Sequence, residues 1–369
     1  MLVLYRANSK REGGCTVRER VKTERERETE GDHRCVSHGQ SQVCVHRRDT
    51  SDSEVCVTVL YIPLMLFGLM GNILTILVVW LRPHMRSSTY LYLSSMAVSD
   101  LLILLLLPLD LYKLWRPRPW LLGDLVCKLT MFLSECCTFC TILHITFLSL
   151  ERYLAVCWPI TAKTVVTRRR TRTVIGCLWL GAAISAAPVL IMVGVEEEVG
   201  GWSSWAGEQG GFLTDADMRE CRCTHYAVTS GLLSAMMILS NFYFLVPLCI
   251  LALVYSLIGR TLWLRPKNSR RDQSHRHTVK MLGVIVLAFV LCWLPFHVGR
   301  TIFSLSLGSG YFNLVSSVLF YLSAAINPLL YNLMSARYRH AVRSLTHKQS
   351  HTQAHRLRTL TTRHSTTTL

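Results

Sequence analysis

Seven long apolar stretches alternate with shorter polar ones along this chain, at about 56–81, 90–112, 125–150, 174–195, 227–258, 281–304 and 312–334. Each is close to the ~20 residues a helix needs to cross the ~30 Å hydrocarbon core of a bilayer. Without water to satisfy backbone N–H and C=O groups, such stretches are expected as helices. The pattern predicts an all-α fold, a seven-transmembrane helix bundle over 55–335. Before it, residues 1–54 are polar and dense in alternating charge, as in Glu24-Arg25-Glu26-Arg27-Glu28. That arm reads as disordered and carries no apolar leader segment. After it, Arg337 to Leu345 is basic and amphipathic, suiting a short interfacial helix over 336–346. Residues 347–369 read as a disordered tail.

Charge adds an orientation. The chain carries a net charge of +17, yet only 17% of its residues are charged, and they gather between the apolar stretches. Arg86, the arginines of Thr167 to Arg172, the basic run Arg260 to Lys280 and the tail after Ser335 fall on one side. The opposite side includes the acidic segment Glu196 to Arg222. The positive-inside rule makes the first set cytoplasmic and places the N-terminus outside, with the C-terminus in the cytoplasm, as in a multi-pass plasma-membrane protein. The basic balance reads as topology and contact with anionic lipids, not as nucleic-acid binding. Most of the 14 cysteines lie within spans as small apolar fillers. Cys127, at the outer end of the third span, has Cys221 and Cys223 across from it, and chemistry alone leaves the choice between them open.

Polar groups inside the spans are the candidate functional residues. Asp100 in the second and Asn72 in the first sit among apolar neighbours, where such groups usually face a polar interior. They suggest an ion or water site. Asp110 follows Pro108 near the outer end of the second span. On the third, Cys127, Met131, Glu135 and Thr138 recur at helical spacing and share a face. On the sixth, Trp293, Phe296, His297 and Arg300 do the same, beside Pro295, which lacks an N–H and predicts a hinge. Glu135 and Arg300 are opposite charges at similar depth, and an ion pair lining a wet outer cavity would relieve both. The third span ends Glu151-Arg152-Tyr153, a charge pair at the membrane edge that neighbouring helices could hold or release. Asn327-Pro328 and Tyr331 close the seventh, another span weakened by proline. Thr359, Thr361, Thr362, Ser365, Thr366, Thr367 and Thr368 offer the tail to kinases.

Asn72, Asp100, Glu151-Arg152-Tyr153, Trp179, Cys292-Trp293-Leu294-Pro295 and Asn327-Pro328-x-x-Tyr331 fall on successive spans, and together they resemble the rhodopsin-like (class A) G-protein-coupled receptors. Pro108-Leu109-Asp110-Leu111-Tyr112, Arg118-Pro119-Trp120, Tyr255-Ser256-Leu257-Ile258-Gly259-Arg260 and Trp293 to Arg300 are similar to the motilin and ghrelin receptor family. Asp110-Leu111-Tyr112, Leu143-His144-Ile145-Thr146 and the apolar Met131 point to its motilin side. Phe320-Tyr321-Leu322-Ser323 and Ser230-Gly231-Leu232-Leu233 point to its ghrelin side, the alternative. Motilin is the expected side.

The resemblance implies a peptide-hormone receptor without catalysis, with Asp110, Met131, Glu135, Arg222, Phe296, His297, Arg300 and Phe320 around the peptide. It implies a Cys127–Cys221 disulfide, and an allosteric sodium ion near Asp100 as the one cofactor-like ligand. It further implies that Glu151, Arg152, Tyr153, Tyr255, Trp293, Pro295, Asn327, Pro328 and Tyr331 carry activation toward a heterotrimeric G protein of the Gq type, with phospholipase C and calcium release downstream. Arrestin and receptor kinases would engage the Ser/Thr tail. A light-sensing pigment needs a lysine in the seventh span, and none occurs between Lys280 and Lys348. An amine receptor would want an acid in place of Ser134. A transporter would show inverted repeats with paired broken helices, and the sequence has none.

Overall fold

The computed structural model describes residues 35–38, 41–44, 50–85, 87–116, 118–197, 219–264, 270–304, 310–334 and 338–344. The hydroxyl-rich tail, most of the acidic segment, Arg86 and the side chain of Tyr331 lie outside the described residues.

The seven apolar stretches become seven long helices: the first span Thr50–Leu81, the second Ser88–Trp115, the third Gly123–Cys157, the fourth Arg168–Ala186, the fifth Leu232–Leu264, the sixth Arg270–Ser304 and the seventh Gly310–Met334. Pro188 closes the fourth span, and a short turn of helix, Val189–Met192, continues it. Thr167 caps its start, its hydroxyl accepting from the Arg170 N–H. Pro63, Pro108, Pro247, Pro295 and Pro328 all lie inside helices, each deleting one backbone donor.

The spans close a ring. The first packs on the second and seventh, the seventh also on the sixth and second, and the sixth on the fifth. The third runs through the middle, against the second, fourth, fifth and sixth. Sequence composition explains that centre: its small Ser, Thr and Cys residues let neighbours approach closely. Cys137, Phe139, Cys140, Ile142 and His144 are fully enclosed there. Outward-facing Leu66, Met70, Ile184, Phe242, Leu253 and Leu291 are exposed, as spans surrounded by lipid require.

Outside the all-α bundle lie two hairpins that periodicity did not show. Strands β1 (Cys35–His38) and β2 (Ser41–Cys44) pair antiparallel within the arm read as unstructured. Strands β3 (Val193–Glu197) and β4 (Arg219–Cys223) pair antiparallel, with Val195 opposite Cys221 and Val193 opposite Cys223. A helix over 338–344 follows the seventh span and buries Tyr338 and Ala341 against the bundle.

Candidate functional site

The end of the bundle under β3 and β4 is tied by a Cys127–Cys221 disulfide, Cα to Cα 5.7 Å. Cys223, two residues on, keeps a free thiol. Burial pushes that thiol up from its ordinary range, although Arg300 nearby pulls it the other way. The protonated form is a poor nucleophile.

Below this disulfide, Arg300 Nη1 donates to Glu135 Oε1, joining the sixth span to the third. Arg300 is 6% exposed and Glu135 8%, so both charges depend on one another. Removing one partner of such a buried pair costs about 3–5 kcal/mol. Arg300 Nε also donates to Met237 Sδ at 3.3 Å, and Glu135 Oε2 is buried with no partner among the described residues. Half of the acid's accepting capacity is therefore free.

One helical turn from Arg300, aromatic rings of the fifth, sixth and seventh spans pack on one another. Phe296 stacks on Phe320 at 5.0 Å, Trp293 meets both edge-on, and His297 stacks on Phe244 at 4.6 Å. Neither ring nitrogen of His297 has a hydrogen-bond partner among the described residues. Helical spacing in the sixth span predicts one face for Trp293, Phe296, His297 and Arg300; the structure packs the three rings on one another and on Phe320, and bonds Arg300 to Glu135.

Three of the expected site residues do not join that group by a direct bond. Asp110 accepts from the Tyr321 hydroxyl of the seventh span. Met131 Sδ lies 3.8 Å from the Lys113 ammonium, which also stands 5.3 Å over the Trp120 ring. Arg222 stands 3.5 Å from Glu196 across the β3–β4 hairpin. Arg118 pairs with Glu220 at 2.8 Å beside it. Lys113, Tyr321, Met237 and Phe244 were missed. Lys113 had a legible signal, being a buried lysine one turn from Asp110 in a span; the others are ordinary span residues whose partners only the packing reveals.

At the opposite end, Glu151 is held by neighbouring helices. It accepts from Ser88, from Tyr92 at 3.0 Å and from Thr171 at 3.4 Å. Arg152 Nε is buried without a hydrogen-bond partner among the described residues, within electrostatic reach of Glu151, Tyr255 and Tyr90. The acid of this adjacent pair is thus satisfied by hydroxyls and not by the arginine. Tyr153 and Tyr255 pack together against Val156, Val254 and Ile258.

Between the two ends, Asn327 Nδ2 donates to Asp100 Oδ2 at 2.9 Å. Asn72 bonds elsewhere, to the carbonyls of Gly68 and Ala324 at 2.9 and 3.0 Å, and its buried Oδ1 has no hydrogen-bond partner among the described residues. Trp179 Nε1 donates to Ser95 at 2.9 Å. Of the two residues expected to form an ion or water site, Asp100 thus bonds Asn327 and Asn72 bonds backbone carbonyls.

This bundle, with a charged pair at its disulfide end and an arginine at the other, defines a class of membrane receptor. The description "7 transmembrane receptor (rhodopsin family)" matches residues 71–331, and the chain belongs to that family. Growth hormone secretagogue receptor type 1 from Sus scrofa is 52% identical over 302 residues, covering 78% of this chain and 79% of its own. Its Homo sapiens counterpart is 52% identical over 301 residues with the same coverage. The Homo sapiens motilin receptor is 44% identical over 329 residues, 78% of this chain and 79% of its own. These identities correct the motilin preference. Asp110-Leu111-Tyr112 and Met131 are a few side chains on two spans, and over the full bundle the ghrelin side is the better match. The protein is a multi-pass membrane receptor and not an enzyme.

Proposed function

We propose that the chain is a receptor for a peptide hormone of the ghrelin type, which enters at the disulfide end and signals through a G protein at the Arg152 end. The observation that carries this is the buried Glu135–Arg300 pair, one helical turn from the Phe296–Phe320 stack, whose Glu135 Oε2 has no hydrogen-bond partner among the described residues. A pair so placed offers a polar anchor set in apolar surface, the lining that ligand sites usually have. Asp110, Met131, Arg222 and Phe320, from the second and third spans, the β4 strand and the seventh span, are assigned to the same peptide. The disulfide end is assigned outside and the helix over 338–344 to the cytoplasm, because the arginines of 168–172 and Arg339 and Arg343 stand on that side.

A hormone shifts the resting balance only by binding one state better than the other. Its contacts at Arg300 act on the sixth span above Pro295, where a missing N–H weakens the helix. Movement there would open the surface around Arg152, Tyr255 and the inner end of the sixth span to a G-protein helix. A Gq-type partner, with phospholipase C and calcium release, is the expected output, and receptor kinases and arrestin would act at the tail. Asp100 is buried with one donor, Asn327, and its carboxylate suits a hard cation such as sodium, with Asn72 as the second residue expected to serve it. A bound sodium ion would supply the countercharge that Asp100 lacks.

The test is calcium release in transfected cells given acylated ghrelin and motilin side by side. A response to acylated ghrelin at lower concentration than to motilin is expected. Silence toward both would sink the reading.

A further inference from the structure

The helix over 338–344 is fastened to the first span at two places. Near its start the Tyr338 hydroxyl lies 3.0 Å from Thr75 Oγ1. At its other end Arg82, just past the first span, donates from Nη2 to Ser344 Oγ at 2.7 Å. Arg82 Nε, on the same edge of the guanidinium, is buried and has no hydrogen-bond partner among the described residues. Nε and Nη2 form a fork that fits two oxygens of one phosphate or carboxylate group. A single hydroxyl fills only half of it. The seat where Ser344 Oγ stands is therefore shaped for a larger anionic acceptor than serine provides.

We propose that Ser344 is a phosphorylation site whose phosphate Arg82 holds through Nε and Nη2, clasping the short helix to the first span. Ser344 is only partly buried, and Arg339 and Arg343 precede it, the kind of basic context that a class of Ser/Thr kinases selects. In the transfer, Ser344 Oγ forms a bond to the γ-phosphorus of ATP, the bond to the bridging oxygen breaks, ADP leaves and the hydroxyl proton is released. The anionic leaflet opposes a phosphate there. That repulsion acts across screened distance, whereas the guanidinium is already in contact, so the contact prevails.

This inference rests on the cytoplasmic placement given above. The full-length receptor is purified from mammalian cells treated with a phosphatase inhibitor, and peptides containing Ser344 are mapped by mass spectrometry. Phosphate on Ser344 is expected, and a phosphatase added afterwards should remove it about threefold more slowly from the wild type than from Arg82→Gln, since the forked contact shields it. Arg82→Lys keeps the charge without the fork and gives the same comparison if the glutamine variant fails to reach the surface. Unmodified Ser344, or equal removal rates, overturns the proposal. So does an Arg82-dependent retention of phosphatidylserine by unphosphorylated receptor in nanodiscs, which would assign the fork to a lipid headgroup. Calcium release to acylated ghrelin, measured on the same cells, separates the two failures: a responsive receptor lacking Ser344 phosphate loses this inference alone.

Discussion

At the scale of single residues, the Glu135–Arg300 pair dominates. Glu135→Gln keeps the shape but removes the countercharge, and the potency of the peptide should fall by roughly a hundredfold, equivalent to about 3 kcal/mol. The exchange Glu135→Arg with Arg300→Glu should restore surface expression and leave the response impaired; dose–response curves beside surface staining check both. Cysteine chemistry offers a second contrast. Cys221→Ser should cost about 2–5 kcal/mol and abolish surface display, whereas Cys223→Ser, which removes a thiol already outside the bridge, should be tolerated. Equal behaviour of the two variants in a cell-surface binding assay would contradict the assignment. Glu135 and Arg300 were legible in the sequence because charges inside spans are costly and two of opposite sign invite pairing. Tyr321 as the partner of Asp110 was not, because a tyrosine in a span carries no signal of which acid it will meet.

At the scale of elements, periodicity and length were enough for the seven spans, since a bilayer leaves the backbone few options. The hairpins were illegible for the complementary reason. Strands β3 and β4 are five residues each, separated by a long connection, and their register depends on pairing and on Cys127–Cys221. No local repeat announces them. The proposed sodium site belongs at this scale because the Asp100–Asn327 bond joins the second span to the seventh. Replacing sodium by N-methylglucamine in the medium should raise agonist affinity in the wild type and change nothing in Asp100→Asn. A radioligand competition series in the two salts checks this, and identical salt sensitivity in both proteins would remove the site. The short terminal helix depends on fewer contacts. Tyr338→Phe deletes one buried hydrogen bond and should lower stability by about 1 kcal/mol, read as a drop in the melting temperature of the purified receptor.

At the scale of the whole molecule, one helix connects the two ends. The third span carries Cys127 and Glu135 near one end and Glu151 and Arg152 at the other, and it packs against the second, fourth, fifth and sixth spans. The choice between the two receptor types was not legible from a handful of pocket side chains, because ligand preference and overall descent are recorded at different positions. The first span contributes something of another kind. A methyl group on Gly71 would come within 2.8 Å of Pro328 Cβ, and one on Gly68 within 2.6 Å of Leu104 and 3.0 Å of Ala325. These two bare positions form a slot in which the seventh helix rests directly on the backbone of the first, at the proline where that helix is weakest. Any rearrangement of the Asn327-Pro328 region must slide along that slot. A bulkier side chain there would act as a wedge, setting the resting level of signalling from a place that no hormone ever touches.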